Sequence, residues 1–64
     1  MTRRALEKHL RRCGCFLNHH GGKHDIWVNA GTLAQAPVPR HKELREGTAK
    51  AICRILGVPF PSQR

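Results

Sequence analysis

Sixty-four residues carry twelve Lys and Arg against four Asp and Glu, for a formal charge of +8 with histidines neutral and a pI of about 10.9. A chain this short is expected to form one domain, 1–64, burying only about 60% of the surface its unfolded form exposes; that excludes a deep enclosed pocket and puts any active site on the surface. Its basic residues run from Arg3 to Arg64 with too few acids between them for an ordinary mixed surface, so the expected partner is a polyanion, nucleic acid first.

The elements follow in chain order. Thr2 suits a helix N-cap, and Leu6, Leu10 and Cys13, with Ala5 beside them, recur at helical spacing. Arg3, Arg4, Lys8, Arg11 and Arg12 fill the other face, and Gly14 takes the stop position. The pattern predicts a basic amphipathic helix over 3–13. A membrane-surface helix would carry larger apolar residues than these.

Residues 15–20 predict a strand, and Gly21-Gly22 a turn. A second strand spans 24–29, with His24, Ile26 and Val28 on one side and Asp25, Trp27 and Asn29 on the other. Ala30-Gly31 turns the chain again. A weaker third strand is expected over 32–36, ended by Pro37 and Pro39, because proline cannot donate to a ladder.

The segment 40–47 is polar and irregular, with a short turn over Glu43 to Glu46. Thr48 is expected to cap a last helix over 48–56, with apolar positions Ala49, Ile52, Cys53 and Leu56 closed by Gly57 and Pro59. Residues 60–64 are expected to fray. The fold class is α+β: a two-layer α-β-β-β-α domain with a three-stranded antiparallel sheet and two helices on one face, similar to the double-stranded-RNA-binding domain.

Three cysteines, an odd number, occur without a secretory or membrane-spanning segment. A reduced, cytoplasmic protein fits them best, with the thiols as small core residues.

Four carboxylates, Glu7, Asp25, Glu43 and Glu46, give a two-metal nuclease too few clustered ligands. Metal-free RNA cleavage needs less. The substrate's own 2′-hydroxyl is the nucleophile, and the protein orients the phosphate, moves protons and stabilises negative charge. Histidine titrates in the right range for the proton transfer.

His24 is the best-placed histidine. It opens a strand directly after a glycine pair, where Gly22 lets a polyanion backbone approach, and Lys23 beside it offers a phosphate contact. Arg40 and His41, in "VPRH", can also meet phosphate. Thr48 and Lys50 stand where a helix start would favour an anion.

Zinc is the rival use of Cys13, Cys15, His19, His20 and His24, but the spacing lacks paired knuckles, and His19 and His20 face opposite ways along one strand. No cofactor is therefore expected. His19 and His20 read as polar residues on a hairpin arm.

Three segments in order, "GGKH", "APVPRHKEL" and "GTAKAICRILGVP", resemble the HicA (YcfA-like) toxin family of toxin–antitoxin systems, and "LEKHLRRCGC" is similar to that family's first helix. The resemblance spans residues 6–59. It implies a double-stranded-RNA-binding-like fold and an mRNA-cleaving toxin that stops translation and slows growth. It also implies a HicB-like antitoxin that masks the active site in a hetero-oligomer. The family's catalytic histidine, commonly in Gly-Ser-His, falls here on Gly22-Lys23-His24, with Lys23 in place of the usual serine. A non-catalytic RNA-binding module of the same fold is the alternative.

Overall fold

The computed structural model describes residues 1–61. Five elements follow one another: helix α1 (Arg3–Arg12), strands β1 (Cys15–His20), β2 (His24–Asn29) and β3 (Gln35–Pro39), and helix α2 (Glu46–Leu56). The strands form one antiparallel sheet in the order β1-β2-β3. The α+β class and the α-β-β-β-α order are those expected from the sequence.

α1 starts where Thr2 Oγ1 accepts the Ala5 amide at 3.1 Å. It buries Leu6 and Leu10 completely. Cys13 is the cap residue and not part of the helix, and Gly14 follows with φ +86°, a left-handed conformation that favours glycine. β1 and β2 have the expected bounds. Their register steps between Leu17 and His19, where an extra residue bulges.

The third strand lies three residues later than 32–36. Asn29 explains the delay. Its side-chain Oδ1 accepts the amides of Gly31 at 2.8 Å and Thr32 at 3.3 Å, and its backbone carbonyl accepts the Leu33 amide at 2.7 Å. Residues 30–34 are therefore held in a turn, with Leu33 at φ +66°. Pro37 and Pro39 lie inside β3 and do not end it. β3 is the sheet edge, and the two prolines, two residues apart, point their missing N–H groups the same way, toward the unpaired side.

The last helix also differs from its expected bounds, 48–56. It begins at Glu46 with Arg45 as N-cap, and no side chain caps it. Thr48 sits inside its first turn. The end is as expected: Gly57 adopts φ +73°, and its amide and that of Val58 close on the carbonyls of Arg54 and Cys53.

The segment before α2 is extended, without the short turn expected over Glu43 to Glu46. It pairs with the N-terminus through Arg3 N–H to Lys42 O (2.9 Å) and Leu44 N–H to Met1 O (2.8 Å). Leu44 thereby enters the core.

That core lies between the helices and one face of the sheet. Leu6 and Leu10 of α1 meet Cys15, Trp27, Ala36 and Val38 of the strands and Ala49, Ile52, Cys53 and Leu56 of α2. The Asn29 amide nitrogen donates to Leu56 O at 2.7 Å, tying the end of α2 to the sheet. Arg11 covers the Trp27 ring at 5.1 Å. Val58 and Phe60 pack on the core, and His9 Nε2 meets Pro59 O at 2.6 Å. The fraying expected from residue 60 onward thus fails at Phe60, while 62–64 lie outside the described residues. Among the described residues, no helix is long and apolar enough to cross a membrane.

Candidate active site

The β1–β2 turn sets the site. Gly21 N–H donates to His24 O at 2.7 Å. A Cβ on Gly21 would stand 2.8 Å from the same oxygen, so only glycine fits there. Gly22 is different: nothing lies within 4 Å of where its Cβ would be. Gly21 builds the turn, and Gly22 leaves open space beside His24.

Arg40, on the residue after β3, reaches across to this turn. One terminal nitrogen of its guanidinium donates to Gly21 O at 2.8 Å, and the other meets Gly22 O at 3.4 Å. Its Nε donates to Asp25 Oδ1 at 2.8 Å. The planar fork of Arg suits this three-point grip, which lysine could not reproduce. Arg40 O in turn accepts Arg3 Nη1 at 2.7 Å, linking the site to α1.

Asp25 is the hub. It is 8% exposed, and the same Oδ1 also accepts His20 Nδ1 at 2.8 Å. The hydrogen bond from His20, then that from Arg40, holds the Asp25 carboxyl below the usual carboxylate range, against the opposing effect of burial. The bulge makes this pairing possible. It brings His20 opposite Asp25 and His19 opposite Ile26, so the two histidines do face opposite ways.

Five of the expected site residues come together. Gly22, Lys23, His24, Arg40 and His41, with Pro39, line one shallow cleft. His24 pairs with Pro39 across the β2–β3 ladder and alternates away from Asp25. Lys23, His24 and His41 are exposed, so all three are accessible to a large substrate. Arg40 is only partly free, since its fork already grips the turn.

Thr48 and Lys50 do not join this cleft. Because α2 starts two residues early, the Ala49 amide is already bonded to Arg45 O at 3.0 Å and offers nothing to an anion. Lys50 Nζ pairs with Glu46 Oε2 at 2.9 Å and lies over the Phe60 ring at 5.6 Å. The first turn of α2 already holds the negative charge of Glu46, which suits the helix dipole there.

All four carboxylates are engaged separately. Glu7 pairs with Arg3, Asp25 with His20 and Arg40, Glu43 with the N-terminal amine, and Glu46 with Lys50. They offer no shared ligand set for a pair of metal ions. The cysteines are likewise dispersed. Cys15 and Cys53 are buried, and burial pushes both thiols up, away from the thiolate a metal requires. Cys13 Sγ lies 3.6 Å from His9 Nε2. Among the described residues, no three His, Cys, Asp or Glu side chains converge on one point.

Sequence reasoning missed Gly21's steric role, Asp25, His20 and Arg3. Asp25 did carry a signal: it alternates onto the Trp27 side of β2, where an unpaired carboxylate would be costly. Its partners follow from the bulge and from where β3 ends, which no spacing rule reveals.

The model of the family described as HicA toxin of bacterial toxin–antitoxin matches residues 3–58. No curated protein and no solved structure matches the chain.

Proposed function

Since the chain belongs to the HicA toxin family, and is thus the toxin of a toxin–antitoxin system with a cognate antitoxin as partner, we propose that it is a metal-independent endoribonuclease acting on mRNA through His24. The carrying observation is the cleft that joins His24, Lys23 and His41 around the open Gly22.

The chemistry follows from those groups. A scissile phosphate settles over Gly22, where no side chain obstructs it. Lys23 and the unengaged N–H groups of Arg40 stabilise the charge that builds on the phosphoryl oxygens. His24 takes the proton of the 2′-hydroxyl or supplies one to the leaving 5′-oxygen. His41, in the same cleft, is our assignment for the opposite transfer. A positioned general acid or base contributes about 10²–10⁴-fold. DNA lacks the 2′-hydroxyl and is spared.

The Asp25–Arg40 grip fixes the turn that carries His24. Positioning of this kind matters because a misplacement of about 1 Å can cost about 100-fold in rate.

Induced expression tests the reading. Wild type should arrest growth and fragment mRNA, His24→Ala should do neither, and co-expression of the antitoxin should restore growth. Growth arrest with intact RNA, or RNA fragmentation by both forms, contradicts it. RNA binding without cleavage by the wild type would mark a binding module instead.

A further inference from the structure

A row of exposed cations on α1 lies outside the His24 cleft. Arg4, Lys8, Arg11 and Arg12 stand at i, i+4, i+7 and i+8 on α1 and so share one stripe, about 12 Å long at 1.5 Å per residue. They line a hollow of their own with Glu7, the only acid on the helix. Glu7 is taken by Arg3 at 3.6 Å, and none of Arg4, Lys8 and Arg12 has an ion-pair partner among the described residues. Arg11 covers Trp27, and Arg11 and Arg12 lie in the last turn, where a cation suits the helix dipole. For Arg4 and Lys8, like charges at i, i+4 that destabilise a helix, folding alone gives no reason.

The stripe is joined to the cleft. Arg3 N–H donates to Lys42 O at 2.9 Å, and Arg3 Nη1 to Arg40 O at 2.7 Å. A second hollow, lined by Thr2, Arg3, Arg4, Glu7 and Lys42, adjoins the stripe, and Lys42 directly follows His41 of the cleft. Lys23, His24, Arg40 and His41 therefore lead through Lys42 and Arg4 to Lys8 and Arg12 without an unpaired acid between them.

We propose that the exposed stripe of α1 is a second phosphate-binding surface, which holds the same RNA strand beyond the cleavage point. The proposal rests on the reading of the chain as an RNA-cleaving toxin. It adds that the substrate is engaged over several nucleotides on one side of the scissile phosphate. Charge complementarity selects the occupant: a regular polyanion matches a regular row of unpaired cations. The expected phosphate contacts on α2, Thr48 and Lys50, are replaced by contacts on α1.

Binding to single-stranded RNA oligonucleotides of increasing length tests this in His24→Ala protein, where cleavage does not interfere. One variant adds Arg4→Gln, Lys8→Gln and Arg12→Gln; Arg11 is kept because it covers Trp27. A charge-matched control adds Arg45→Gln, Lys50→Gln and Arg54→Gln, and circular dichroism checks that both fold. Each single-strand phosphate contact contributes about 0.7 to the slope of log K against log salt, so the α1 variant should lose about 2 from that slope. Its affinity for long oligonucleotides should fall at least tenfold, while the shortest lose little. The control should lose markedly less.

Equal weakening by both variants, or none by the α1 variant, overturns the proposal. So does loss of antitoxin affinity with RNA binding intact, which would make the stripe a protein interface. The two readings fail separately. Cleavage without α1 dependence sinks the stripe alone, whereas α1-dependent binding by a chain that cuts nothing supports the stripe and sinks the ribonuclease.

Discussion

Asp25→Asn removes one charge and almost no volume from the centre of the site. In the native protein Asp25 Oδ1 accepts from both His20 Nδ1 and Arg40 Nε at 2.8 Å. Hydrogen bonds to a charged group contribute about 1.5–3 kcal/mol each, net. The Arg40 side chain is 42% exposed and that of His20 68%, so water compensates part of the loss. With that discount the expected cost is about 2 kcal/mol in total, below the roughly 3 kcal/mol that two such bonds would contribute at the least if shielded from water. A domain of this size has roughly 3–10 kcal/mol of stability in all, so the loss is a large fraction of it. At about 4–8 °C per kcal/mol, Tm should fall by roughly 8–16 °C at pH 7.

The pH dependence sharpens the test. The folded Asp25 carboxyl titrates below its unfolded value of about 3.9. A depressed carboxyl stabilises the fold fully above the unfolded value, and that contribution is lost as pH falls through the lower folded value. Thermal melts of wild type and Asp25→Asn, followed by circular dichroism, should therefore differ most at neutral pH and converge as pH drops below 3.9. A Tm gap that persists undiminished at pH 2, or no gap at pH 7, would refute the role given to Asp25.

Other consequences concern the turn. Arg40→Lys keeps the charge and loses the fork, so kcat for RNA should fall about 10–100-fold while KM changes less, as expected for a positioning defect. A rise in KM alone would make Arg40 a simple phosphate contact. Gly21→Ala puts a methyl 2.8 Å from His24 O and should destabilise the fold by about 1–3 kcal/mol in denaturant melts. Gly22→Ala meets open space and should melt like wild type, yet lose RNA cleavage by crowding the phosphate. Matching stabilities for the two glycine variants would contradict the division of roles between them.

The sequence made some parts of this molecule legible and hid others for physical reasons. α1, β1 and β2 were readable because one periodicity and one turn or cap signal agreed in each. β3 lies later than its pattern suggests because its prolines read as a stop, yet at a sheet edge they cost no ladder bond. The start of α2 is hidden because Thr48 is a good cap residue, while the helix begins at Glu46 without any side-chain cap. His24, Lys23 and Gly22 are legible as candidates in a short local motif, and they line one cleft. The Asp25 hub was not, because the one-residue bulge in β1 decides which histidine faces it. The network that holds the candidate site thus depends on contacts between residues 15–19 positions apart, beyond the reach of spacing rules.

The most direct measurement is RNA cleavage by purified protein in excess EDTA, with wild type and His24→Ala compared on the same RNA. The account predicts cleavage by the wild type at a rate indifferent to EDTA, loss of at least about 100-fold in the variant, and melting curves for both that coincide within about 0.5 kcal/mol, since His24 is exposed. Cleavage abolished by EDTA, or undiminished by the substitution, would contradict it.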